Sequence, residues 1–178
     1  MIRSFLKKKL SDNTLANIFV NGLLEVIDNG FKDVAALINE DPAFEESPQL
    51  LSEQSGEFTM IVIVGNIVSL ESNFDAIQAT NVETLIIQKF AGVFGKSETE
   101  FENLVKEYKA FIARVNHPSK NVLYGMSKAV FHKYNLNDFQ DDYFKRMQAP
   151  NPLFLKRMDE VLQNFIWNWD AILKKYKL

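Results

Sequence analysis

At 178 residues, 47% hydrophobic and 24% charged, the chain has the proportions of one ordinary globular domain. A formal net charge of −3 argues against generic nucleic-acid binding, and zero cysteines exclude disulfides, thiolate metal sites and a cysteine nucleophile. Fifteen phenylalanines against seven glycines and five prolines suit helices joined by short loops.

Residues 1–10 read as a short amphipathic helix, with Phe5 and Leu6 on one side and Lys7, Lys8 and Lys9 on the other. Four basic groups and no continuous apolar stretch argue against a signal peptide there. A Ser11-Asp12-Asn13 cap opens a second helix with the face Leu15, Ile18, Phe19, Leu23, Val26 and Ile27. Asn29-Gly30 is expected to close it, because both residues tolerate a left-handed C-cap. Phe31, Val34, Ala35 and Ile38 then form a third helix, stopped by Asp41-Pro42. Residues 39–57 are acidic and irregular, and read as a surface loop.

The segment 58–70 is ambiguous. Ile61, Val62, Ile63, Val64, Ile67 and Val68 favour strand, and Gly65-Asn66 could turn a hairpin. Both faces of that hairpin would be apolar, yet no third strand candidate exists to complete a sheet. A helix that is apolar all round is a central, buried one, and Gly65 would let a neighbour approach closely.

Thr80 or Asn81 is expected to cap the next helix, with Val82, Leu85, Ile86, Phe90 and Val93 on its face. Ser97 and Glu100 have capping-box spacing ahead of Phe101, Leu104, Val105, Tyr108 and Ile112. His117-Pro118 ends that helix, and Ser119 or Asn121 starts another. A short helix near 137–147 precedes one long final helix over 152–176, capped by Asn151 with Pro152 at its first position. Its stripe is Phe154, Met158, Val161, Leu162, Phe165, Trp169, Ile172, Leu173 and Tyr176. The fold class is therefore all-α: one domain over 1–178, a bundle around a central buried helix. Within it, a helical hairpin over 1–40 and an acidic loop over 41–57 precede the main bundle over 58–178.

Chemistry is sparse. His117 and His132 lie fifteen positions apart and lack metal-ligand spacing. Asp141 and Asp142 point about 100° apart on a helix, so a solvated acidic patch is the simpler reading than a magnesium site. No phosphate loop or nucleophile elbow occurs. The segments 15–28 and 31–38 loosely suggest a helix-turn-helix regulator, but an acidic loop stands where a recognition helix should follow. No catalytic residue, cofactor or metal is expected. Trp167 falls near the edge of the last helix's stripe. Exposed beside Ile166, it would mark a partner surface; partial burial against a neighbouring helix is the alternative.

Gly56-Glu57-Phe58-Thr59-Met60-Ile61-Val62-Ile63, then Lys156-Arg157-Met158, Phe165 and Trp169-Asp170-Ala171-Ile172-Leu173, resemble the ubiquinol–cytochrome c chaperone domain, an all-helical family. Lys7-Lys8-Lys9 also fits, whereas Glu57 and Thr59 stand where that family has an arginine and an aspartate. The resemblance implies a similar helical fold and a role in assembling membrane-bound respiratory proteins.

The leading expectation is a non-catalytic interaction or assembly domain, cytoplasmic or peripheral to a membrane. Its candidate surface is Phe5, Leu6, Lys7, Lys8, Lys9, Ile166 and Trp167, and its partner is a protein, including a membrane protein or a second copy of the chain. A small-molecule or lipid pocket is the alternative. A helix-turn-helix regulator or an enzyme with a dispersed site comes third.

Overall fold

The computed structural model describes residues 8–176. Among them the chain is all-α, a multi-helix bundle without a strand; an isolated bridge joins Phe44 to Gln140. The elements are α1 (Asp12–Asn39), α2 (Gly56–Val68), α3 (Ala76–Val93), α4 (Glu98–Asn116), α5 (Val122–Lys133), α6 (Asp142–Met147), α7 (Pro152–Leu162) and α8 (Trp169–Lys175). Short 3₁₀ turns follow α2, α5 and α7 at Ser69–Ser72, Leu136–Phe139 and Gln163–Phe165.

α1 lies along α3, α3 on α4, α4 on α5, and α5 on α7, while α2 runs between α4 and α5. Nine of the thirteen α2 residues are buried, from Phe58 to Ile67. The β-branched residues that argued for strand are helical here because neighbours cover every side, and tertiary burial outweighs a propensity difference of under about 1 kcal/mol per residue. Gly65 is the contact point with α5: a Cβ there would overlap the Met126 side chain. The expected central helix is thus present, displaced by two residues at each end.

Three boundaries differ from the sequence reading. First, the chain does not stop at Asn29-Gly30. α1 is one helix of 28 residues, and Leu15, Phe19, Leu23, Ile27, Phe31, Val34 and Ile38 form its single buried stripe. Gly30 serves a different purpose, since a Cβ there would lie 2.7 Å from the Phe165 ring. No turn therefore divides residues 12–39, and the helix-turn-helix reading loses its turn. Second, α3 begins at Asp75, whose carboxylate accepts from Ile77 N (3.0 Å) and Gln78 N (2.9 Å). Thr80 lies inside the helix and donates to Ala76 O (2.8 Å). Third, the long final helix is broken into α7, a 3₁₀ turn and α8.

That third break has a specific cause. Asn66, buried on α2, donates from Nδ2 to Phe165 O (2.9 Å) and accepts at Oδ1 from Trp167 N (2.8 Å). A continuous helix would bond those backbone groups internally; here one side-chain amide takes both. The turn swings Phe165 onto Gly30 and Trp167 onto Gly22, where a Cβ at either glycine would collide with the ring. Trp169 stacks on Phe19 with centroids 5.3 Å apart and meets Phe74 edge-on at 4.9 Å.

The Ser97–Glu100 capping box forms as expected, with Glu100 N to Ser97 Oγ 3.2 Å and Ser97 N to Glu100 Oε2 2.8 Å. Asn121 caps α5. The acidic loop is tied down by Asp41, a buried carboxylate that Arg157 of α7 grips with two hydrogen bonds of 2.7 and 2.6 Å. No helix among the described residues is long and apolar enough to cross a membrane.

Candidate functional site

The acidic loop does not simply cover the bundle. Its second half, residues 48–54, forms one wall of a groove of about 660 Å³; the end of α5 and the 3₁₀ turn after it form the other. The floor carries Leu50, Leu136 and Phe139, and the rim carries Gln49, Gln54, Glu57, Lys133, Asn135 and Asp138.

Both walls are held by unusual backbone. Gln49 (φ 55°) and Asn135 (φ 52°) are two of the three non-glycine residues with a left-handed conformation among the described residues. Asparagine tolerates this region; glutamine does so at a strain of about 1 kcal/mol. Asn39 of α1 fixes the first wall, accepting from Leu50 N (2.7 Å) and donating to Leu50 O (2.9 Å).

The inner end of the groove is the N-terminus of α2. Ser55 makes no side-chain cap. Tyr134 supplies the cap from 76 positions away: its hydroxyl accepts from Phe58 N (3.0 Å) and donates to Gln54 O (2.7 Å). Burial, partly offset by the Phe58 N–H, pushes the Tyr134 phenol up to about 12.

Beside it, Tyr108 of α4 donates its hydroxyl to Glu57 Oε2, and Lys133 Nζ lies 3.4 Å from the same oxygen. The Lys133 ammonium also sits over the Tyr108 ring at 4.4 Å and the Phe111 ring at 4.9 Å. Burial first, then the hydrogen bond to Glu57, raises the Tyr108 phenol well above its ordinary range. Glu57 and Lys133 thus satisfy one another. Asp138 is left on the rim as an exposed carboxylate with no ion pair among the described residues.

The residues singled out in the sequence lie elsewhere. Phe5, Leu6 and Lys7 fall outside the described residues; Lys8 and Lys9 are exposed and Leu10 is buried, none of them helical. The first helix expected over 1–10 therefore does not extend through its last three positions. Ile166 and Trp167 are half-buried against the core, and Trp167 presents its ring to Gly22 and Phe19. The partial burial weighed as the alternative for Trp167 is what the structure has. His117 and His132 are exposed, and no group of three His, Asp or Glu side chains among the described residues is arranged to hold a metal. Asp141 accepts from Tyr143 N (2.9 Å) and Phe144 N (3.1 Å), a helix cap, so Asp141 and Asp142 do not act as a pair.

Local sequence carried little signal for the groove. Glu57, Tyr108 and Lys133 come from three helices and Tyr134 from the C-cap of the third, and only the left-handed tolerance of Asn135 after α5 hinted at a special turn. No protein-family model matches the chain, and neither curated proteins nor solved structures yield a significant match.

Proposed function

We propose that this chain is a non-catalytic binding domain that takes a segment of a partner protein into the groove between residues 48–57 and 133–139. The observation that carries the reading is that two left-handed backbone positions, Gln49 and Asn135, shape the walls of one open groove. Its lining suits a peptide: Leu50 and Phe139 for apolar side chains, Gln49, Gln54 and Asn135 for backbone amides, and Asp138 for a basic or N–H group.

The titratable cluster supports binding over turnover. General acid–base groups work best with pKa values near the operating pH. Burial moves Tyr108 and Tyr134 away from it, and Glu57 is engaged by both Tyr108 and Lys133. The likeness of 56–63 and 156–173 to the ubiquinol–cytochrome c chaperone domain adds one candidate partner class, a protein undergoing membrane assembly.

The test is quantitative affinity purification of the full chain from its native host, alongside Asp138→Lys and, as a remote control, Lys106→Ala on α4. Partners that depend on the groove should fall at least about tenfold with Asp138→Lys, the loss of one well-placed charge pair. They should be unchanged with Lys106→Ala. Equal recovery from all three proteins would refute the reading.

A further inference from the structure

The groove and the N-terminal segment of the chain carry opposite charge. The two stretches that wall the groove, 40–57 and 134–144, hold six and three carboxylates and no lysine or arginine. Arg157 takes up Asp41, Lys133 takes up Glu57, and Asp141 caps α6. Glu45, Glu46, Glu53 and Asp138 stay exposed and make no ion pair among the described residues. Asp138 lines the groove, and Glu45 N donates to the carbonyl of Phe139 on its floor (2.8 Å). Glu53 lies within the turn closed by Gln54 N and Leu51 O (3.0 Å). Lys145, next in the chain after the second stretch, offsets one of these charges. Leu51, beside Leu50, is 59% exposed, so the acidic rim also carries an uncovered apolar side chain.

A complementary sequence is present in the chain itself. Residues 2–8 set Ile2, Phe5 and Leu6 among Arg3, Lys7 and Lys8, with no acidic residue. That segment does not reach the groove of its own copy. Leu10 is buried just ahead of α1, whereas the groove is tied to Asn39 at the far end of α1. The 28 residues of α1 span about 42 Å, while the chain from Leu10 back to Phe5 extends at most about 18 Å. We propose that the groove takes residues 2–8 of a second copy of this chain, an occupant that rests on the groove reading above. Phe5 and Leu6 cover Leu51 and the floor formed by Leu50 and Phe139, and Arg3, Lys7 and Lys8 meet the carboxylates of the rim. The contact joins two different patches, so it is head-to-tail. Each copy offers one segment and one groove, and assembly continues copy by copy unless a ring closes.

The test is sedimentation velocity of the full chain over about 1–500 µM, at low and high salt. Wild type is expected to pass from monomer to larger species as concentration rises, and to do so less readily at high salt. Asp138→Lys in the groove and Phe5→Asp/Leu6→Asp in the segment should each raise the midpoint concentration at least about tenfold. Arg3→Glu/Lys7→Glu/Lys8→Glu should match the second of these without removing an apolar group. Mixing the groove variant with either segment variant should restore a species of two copies, because one supplies an intact segment and the other an intact groove. That recovery also shows that both variants are folded. A wild type that stays monomeric throughout, association that the variants leave unchanged, or variants that do not recover on mixing would overturn the proposal. A monomer that still captures Asp138-dependent partners from its host would remove the second copy as occupant and leave the groove reading standing; loss of both would sink the two together.

Discussion

α2 and α6 mark the two extremes of this molecule. Both are rich in large apolar side chains, yet α2 buries nine of its residues and α6 buries none. The difference lies in what covers them. α2 is enclosed by α4, α5 and the corner at 163–169, and its buried polar residue, Asn66, is spent on holding that corner. α6 has its cap and its linker beside it, but nothing among the described residues buries it. Hydrophobicity alone therefore does not assign a helix to the core. The hydrogen bonds that fix its neighbours do.

Substitutions in the two regions should separate accordingly. The largest effect is expected from Asn66→Ala, which orphans a buried carbonyl and a half-buried N–H at the Phe165–Trp167 corner. A loss of about 3 kcal/mol in urea-monitored unfolding is expected. A value below about 1 kcal/mol would mean that the corner does not depend on α2. Next comes Arg157→Ala, which leaves Asp41 buried without its guanidinium. The arginine side chain is about one-third exposed, so the expected loss is near 2 kcal/mol rather than the 3–5 of a fully enclosed pair.

Tyr134→Phe removes the cap of α2 and should lower stability by about 1 kcal/mol. It also has a pH signature. The folded phenol titrates at about 12, above its ordinary value of 10, so its contribution is complete below pH 10 and is lost as pH rises toward about 12. The variant's stability should decline less between those limits than the wild type's, retaining only the part due to Tyr108. Identical alkaline profiles would remove the burial argument for Tyr134. The smallest effect belongs to α6: Met147→Asp should change stability by less than about 0.5 kcal/mol, because its side chain already faces solvent. A large loss there would show that α6 is part of the core after all.

Much of the bundle was legible from local pattern. The apolar-all-round segment at 58–70 identified α2, Gly65 marked its close neighbour, Ser97-Glu100 placed the start of α4, and Asn121 proved to be the cap among the two residues offered for α5. The misreadings share one physical origin. Gly30 looked like a stop and is a seat for Phe165; the stripe at 152–176 looked continuous and is broken by Asn66, about a hundred positions earlier. Each depends on a contact distant in sequence, which periodicity does not encode. The groove was hidden for the same reason. Tyr134 caps a helix that begins 78 residues before it, and Glu57 meets Tyr108 and Lys133 only after folding.

Hydrogen–deuterium exchange of the purified chain with and without its captured partner bears most directly on the groove reading. Slowed exchange is expected across 48–57 and 133–139, with α3 and the outer face of α4 unchanged. Protection confined to other segments, with those two walls exchanging as in the free protein, would contradict it.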